Sequence, residues 1–367
     1  MDVDRRILAN SRQCAGRFPD RPPVFSRERK VKPRGTHGPV PMPKHPRDRG
    51  RRPVLNLPGG GFSAAMLGAA ARVCDGGFDM FRRPVYRRRT RQLGGARQGQ
   101  GMARVLIVSS YVASGHVGLS ASGAVLQALG HDVTGLPTVV LSNHLGWAHV
   151  AGGPLPVSQL RDMAGALRAN GLLEDHDAVL VGYLPSPDHV AFAADLVAEM
   201  RGMDPAPRIV VDPILGDAPG GLYVPEAVAR AVRERLVPLA DTLTPNHFEL
   251  GWLTGRALPD LAATLEAARP LAPEVLVTSP PLGAEVTGLL AVRGRRSALF
   301  RTLRRGGVPH GVGDSFAAMI AAGMAPGEAL GRLDALVLCS IGAPHLAIAT
   351  SAPRWVAAPA IGPESQV

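Results

Sequence analysis

Gly311-Val312-Gly313-Asp314-Ser315 leads directly into an apolar, helix-like stretch. Glycines just ahead of a helix let backbone amides converge on an anion, and the helix N-terminus adds partial positive charge. A carboxylate at that point opposes the anion electrostatically, so Asp314 makes chemical sense as a general base that takes a proton from an attacking hydroxyl. The competing reading is an Asp N-cap after a glycine turn. A second group, Val211-Asp212-Pro213-Ile214-Leu215-Gly216-Asp217, leaves an apolar strand and carries two acids five residues apart. Loops at the C-terminal edge of an open α/β sheet are where ligands sit, and two carboxylates there suit a hydrated magnesium ion on nucleotide phosphates. Turn chemistry around Pro213 and Gly216 is the structural alternative. The third group is Thr244-Pro245-Asn246-His247-Phe248-Glu249. Asn246 and Glu249, three apart at a helix start, fit either a capping box or a pair facing phosphate and metal-bound water.

These groups need a frame, and the chain supplies one after Met102. Apolar β-type runs at Val105–Val108, Val133–Leu141, Ala178–Gly182, Ile209–Val211 and Val275–Thr278 alternate with amphipathic stretches. The helical expectations are 117–129, 157–169, 188–200, 225–235, 246–253, 260–268, 314–322 and 326–349. Alternating βαβα units predict an α/β fold, a mostly parallel central sheet with helices on both faces. Residues 285–303 instead read as a hairpin turning at Arg293-Gly294-Arg295, and its arginines Arg301, Arg304 and Arg305 are candidates for phosphate contact.

Charge divides the chain. Residues 1–101 hold 23 Lys+Arg and 7 Asp+Glu, whereas the remaining 266 hold 18 and 23, so the net charge of +11 comes from the N-terminal quarter. That segment is rich in Pro, Gly and Arg and lacks helix or strand periodicity, which predicts disorder. The expected organisation is a dispensable basic extension over 1–101, a catalytic domain over 102–355 beginning at Met102, and a tail over 356–367. With the basic excess confined to the extension, nucleic acid is not expected as a partner. All three lysines, Lys30, Lys32 and Lys44, lie in the same segment, so the body offers no lysine for a Schiff base, and no P-loop string is present. Three dispersed cysteines imply neither a disulfide framework nor a zinc site, and no run of about 18 apolar residues suggests a membrane span. The expected setting is cytoplasmic.

In order and separation, Asp-Pro-x-x-Gly-Asp, Thr-Pro-Asn-x-x-Glu and Gly-x-Gly-Asp resemble the ribokinase-like superfamily of small-molecule kinases. The resemblance implies Asp314 as catalytic base, the turn Gly311, Val312 and Gly313 as anion hole, and Asn246 and Glu249 in support of magnesium and phosphates. Ser109 to Gly118 after the first strand, Leu141 to His149 after the second, Gly182-Tyr183 and Tyr223-Val224-Pro225 look like the pyridoxal kinase branch. That branch implies ATP-dependent phosphorylation of the 5′-hydroxymethyl of pyridoxal, with Mg2+ and ATP bound, as a homodimer. It places Ser110, Leu145 and Tyr183 at the vitamer. Asp212, Asp217, Tyr223, Asn246, Thr278 and Ser279 fall at the nucleotide, and Asp212 and Glu249 at the metal. Leu145 stands where many members carry a hydroxyl, Val312 replaces the usual threonine, and His144 reads as structural. The alternatives are a hydroxymethylpyrimidine kinase of the same fold and a non-catalytic vitamer-binding protein.

Overall fold

A computed structural model describes residues 101–366. The expected basic extension therefore lies, but for its last residue, outside the described residues. Ten of the strands form one sheet, whose centre is parallel: β2 (Asp132–Leu141), β1 (Arg104–Val112), β4 (Ala178–Val181), β5 (Arg208–Val211), β8 (Thr242–Leu243) and β9 (Glu274–Thr278), in that spatial order. β3 (Gly152–Pro154) closes one side antiparallel to β2. On the other side the hairpin β10 (Val286–Arg293) and β11 (Arg296–Leu303) extends the sheet antiparallel to β9. A separate two-stranded ribbon pairs β6 (Gly216–Asp217) with β7 (Gly221–Leu222).

The strands are near-continuous apolar runs because both sheet faces are covered. Side chains alternate between two cores: Leu106, Val108, Val179 and Val211 point to one, Val105, Ile107, Leu180 and Val210 to the other. The first core is covered by α2 (Val157–Ala169), α3 (Pro187–Arg201), α4 (Glu226–Ala231), α5 (His247–Thr254) and α6 (Leu261–Ala268). The second is covered by α1 (Leu119–Ala128), α7 (Val312–Ala321), α8 (Pro326–Ser340) and the short α9 (Ala352–Trp355). This is the expected α/β architecture.

Three expectations need correction. The helix expected over 326–349 stops at Ser340, because Gly342 takes a left-handed φ of 74° and Ser340 Oγ turns back to accept from Ala347 N. The helix expected over 225–235 is α-helical only to Ala231 and continues as a π-helical turn over Val232–Leu236. The segment expected as a tail runs back along the domain: Ile361 N donates to Gly327 O, Glu364 N donates to Leu299 O, and β12 (Ser365–Gln366) pairs with β11.

Candidate active site

The C-terminal ends of the parallel strands open into a cleft of about 1320 Å³. That exceeds the roughly 300–1,000 Å³ of a single small-molecule pocket and suits two ligands side by side. The expected base, anion-hole, metal, nucleotide and vitamer residues all line it. Asp212, Asn246, Glu249 and Thr278 follow or end β5, β8 and β9 toward one side of the sheet, while Ser110, Leu145 and Tyr183 lie in or after β1, β2 and β4 toward the other.

At the first end, Gly311 is the N-cap of α7, with φ of 98°. A Cβ there would lie 2.0 Å from His116 O, so both conformation and space require glycine. Gly311 supplies no capping side chain, so the amides of Val312 and Gly313 at the start of α7 are open to an anion. Gly313 is open toward the cleft: a Cβ would meet nothing nearer than Asp212 Oδ2 at 3.9 Å. Asp314 is the third residue of α7 rather than its cap, which removes the N-cap reading. Its carboxylate accepts from Gly118 N and from its own amide, yet burial outweighs both and raises its pKa. Ser122 Oγ donates to Asp314 O at 3.1 Å, tying α1 to the start of α7.

Facing this turn, Asp212 emerges from β5 fully buried. Desolvation, then the charges of Glu249 and Asp314, push its pKa well up. The Thr244 hydroxyl faces Asp212 and counters the shift without reaching full hydrogen-bond geometry. Glu249 is buried too, and burial raises it to about 7 although three backbone amides oppose the shift. Leu215 N donates to Oε1 at 2.8 Å and Asn246 N to Oε2 at 2.9 Å. Asn246 Oδ1 in turn accepts from Glu249 N at 2.9 Å. The capping box is therefore real, and Glu249 also lines the cleft. Asn246 Nδ2 donates to Gly216 O at 2.8 Å, which fixes the Asp217 ribbon.

Asp217 and Tyr223 sit on that ribbon. Tyr223 is half exposed, and its phenol is pushed up by burial of its ring and by Asp217. Thr278 ends β9, where its amide donates to Pro245 O at 2.9 Å, and Ser279 follows with a strained φ of 52°. Ile214, between Asp212 and Asp217, also has positive φ, 44°, which is rare for a β-branched residue. Two such conformations in one cleft fit the clustering of backbone strain at functional sites. Of the three arginines, Arg304 and Arg305 line the cleft. Arg305 is locked to Asp334, and Arg301 pairs with Glu364 at 3.0 Å, away from the site.

At the opposite end, Ser110 lies inside β1 and lines the cleft, so it caps no helix. Its neighbour Ser109 is buried and accepts from Tyr183 N at 3.1 Å, while Tyr183 O accepts from Thr138 Oγ1 at 2.7 Å. These two bonds place the Tyr183 ring at the cleft wall. Leu145 is 66% exposed on the loop 142–151. His144 accepts from Gly146 N at Nδ1 and stacks on His310, with ring centroids 4.1 Å apart. Ser109, Gly118 and Thr244 lie within strings the sequence singled out but were given no site role there, and Ser122 and His310 lie outside any such string; each acts through a tertiary contact.

Among the described residues, no helix is long and apolar enough to cross a membrane. The family profile described as phosphomethylpyrimidine kinase matches residues 159–332. The pyridoxine/pyridoxal/pyridoxamine kinase of Bordetella avium is 39% identical over 238 residues, 62% of this chain and 79% of that protein. Human pyridoxal kinase is 34% identical over 239 residues, 60% of this chain and 76% of its own. The structure of Leishmania donovani pyridoxal kinase in complex with ADP and pyridoxamine superposes with a TM-score of 0.66 at 29% identity, covering 72% of this chain and all of that one. With the cleft geometry and these likenesses together, the chain belongs to the pyridoxal kinase family of the ribokinase-like superfamily.

Proposed function

We infer that this protein transfers the terminal phosphoryl group of ATP to the 5′-hydroxymethyl of pyridoxal. The observation that carries the reading is Asp314. It is a carboxylate with a burial-raised pKa on the first turn of an uncapped helix, beside a glycine turn, in a cleft large enough for nucleotide and vitamer. Its raised pKa moves it toward the range in which a base can accept a proton at neutral pH.

Ser110 and Tyr183 hold the pyridine at one end, with Leu145 over it. Asp314 accepts the proton of the 5′-hydroxyl as that oxygen attacks phosphorus. The amides of Gly311, Val312 and Gly313 stabilise charge on the transferred group, so positioning and electrostatics supply most of the acceleration. Tyr223, Asp217, Asn246, Thr278 and Ser279 border the nucleotide end, where Arg304 adds positive charge to a body without lysine.

Magnesium fits the donor set. Asp212 and Glu249 face each other and each is destabilised as an anion by burial, a state a divalent cation relieves. Both Glu249 oxygens already accept backbone amides, so its contact to the ion would run through water. Among the described residues no group of three His, Cys, Asp or Glu is placed to hold a metal, so the proposed ion would take its remaining ligands from phosphates and water. When bound, magnesium would supply neutralisation of phosphate charge. Homodimer assembly and a cytoplasmic setting complete the proposal. The first rests on family resemblance, the second on composition.

The test is to incubate the full chain with Mg-ATP and, separately, pyridoxal, pyridoxine, pyridoxamine and hydroxymethylpyrimidine. Phosphorylation of pyridoxal at the 5′ oxygen with the highest kcat/KM is expected. Preferential turnover of hydroxymethylpyrimidine would overturn the assignment in favour of the related kinase.

A further inference from the structure

The loop 142–151 at the vitamer end is tied mainly to itself and to the adjoining strands. Asn143 Nδ2 donates to His149 O at 3.0 Å, Ser142 Oγ accepts from Ala151 N at 3.0 Å, and Ser114 N donates to Ser142 O at 2.9 Å. Two ring contacts reach from it toward the phosphate end. His144 stacks on His310 with an interplanar angle of 24° and a centroid separation of 4.1 Å. Trp147 lies against His345 at 6.3 Å, and His345 meets His116 edge-on at 6.2 Å.

Both routes end at Gly311. His310 is joined to it covalently, and His116 O is the atom that leaves no room for a Cβ on it. The anion-hole turn is thus held between two imidazole residues, each in ring contact with the vitamer loop directly or through one more ring. Leu145, next to His144, is an exposed apolar residue of the loop and lines the cleft.

We propose that the His144–His310 stack couples the two ends of the cleft, so that a vitamer seated under the loop 142–151 tightens the Gly311 turn on the nucleotide phosphates. His310 is on this account a positioning residue, acting through Gly311 rather than on substrate. Linkage makes the effect reciprocal: nucleotide must raise vitamer affinity by the same factor. The inference rests on the kinase reading above.

Binding of a non-hydrolysable ATP analogue with magnesium is measured by calorimetry with and without saturating pyridoxine, and the converse titration closes the cycle. The full chain is expected to show at least about fivefold coupling in both directions, the lower end of ordinary allosteric coupling. His310→Ala and, independently on the exposed loop, His144→Ala should each reduce it below about twofold. His310→Phe, which keeps a stacking ring, should restore most of it. A purely structural role would lower thermal stability in His310→Ala while leaving the coupling factor intact, and that result overturns the proposal. So does a full chain that phosphorylates pyridoxal yet shows no coupling. Absence of phosphoryl transfer to every B6 vitamer overturns the kinase reading itself, and this inference with it.

Discussion

The end of the cleft proposed for phosphate is built from backbone and buried carboxylates, whereas the end proposed for the vitamer is built from side chains on strand ends and an exposed loop. At the first, Gly311 is fixed by a left-handed φ and a contact that excludes any Cβ, Glu249 and Asp314 are held by backbone amides, and buried Asp212 faces the Thr244 hydroxyl. At the second, Leu145 is largely exposed, His144 rests on another ring, and Ser110 presents its hydroxyl to the cleft from within a strand. The difference follows from the chemistry each end serves. Charge developing on a transferred phosphoryl needs rigid dipoles set in advance, while discrimination among similar pyridines needs only a few adjustable contacts. Substitutions should therefore act on kcat at the first end and on the vitamer KM at the second.

The largest effect should come from Gly311→Ala. Its Cβ would strike His116 O, and the turn would have to open, so a loss of about 10²–10³ in kcat is expected, the range for removing a preorganised anion-hole donor. Gly313→Ala sharpens the contrast. Its Cβ has room, and less than about a tenfold change should follow. Equal losses in the two variants, read by steady-state kinetics, would break the claim that the turn at Gly311 is conformationally fixed.

Ser110→Ala should raise the vitamer KM several-fold with little change for ATP, since one hydrogen bond contributes on the order of 1 kcal/mol. A raised ATP KM with an unchanged vitamer KM would place Ser110 at the wrong end.

The buried acids make a prediction about pH. Glu249 has a folded-state pKa near about 7 against a reference of 4.5. The folded chain therefore holds more protons between those values, and this group's contribution to stability falls as pH rises from 4.5 to about 7, then levels off. Asp212 and Asp314, also raised, act in the same direction. Thermal melts of the ligand-free chain should show the fall, and Glu249→Gln should flatten it. Added magnesium should restore stability above neutral pH. A stability that climbs across the window because of Glu249 would contradict its burial as an anion.

The smallest effect should come from removing residues 1–101. A chain beginning at Met102 should keep turnover within about tenfold, or roughly 1.4 kcal/mol of barrier. A larger loss would give the basic extension a part in the chemistry.

Much of the phosphate end was legible in the sequence because its residues come in local strings. Asp212 and Asp217, Asn246 and Glu249, and Gly311 to Asp314 each lie within six residues, and the strands that carry them are apolar enough to mark a sheet covered on both faces. The residues that complete the site were not legible. Ser122 reaches Asp314 across 192 residues, and Gly118 donates to the same carboxylate from a loop whose sequence gives no sign of it. Ser109 and Ser110 are adjacent and chemically identical, and only the alternation of β1 decides which one holds Tyr183. Strands of two or three residues, such as β3, β8 and β12, are too short to show a period. The helix expected over 326–349 was overextended because the apolar pattern runs on past the point where Gly342 turns the backbone.

Asp314→Asn tests the central claim most directly, because it preserves shape while removing the negative charge and the ability to accept a proton. With pyridoxal and Mg-ATP, kcat should fall by about 100-fold or more, within the range for general-base loss, while nucleotide affinity is kept or improved as a negative charge leaves the phosphate end. Near-normal turnover in this variant would contradict the assignment of Asp314 as the base.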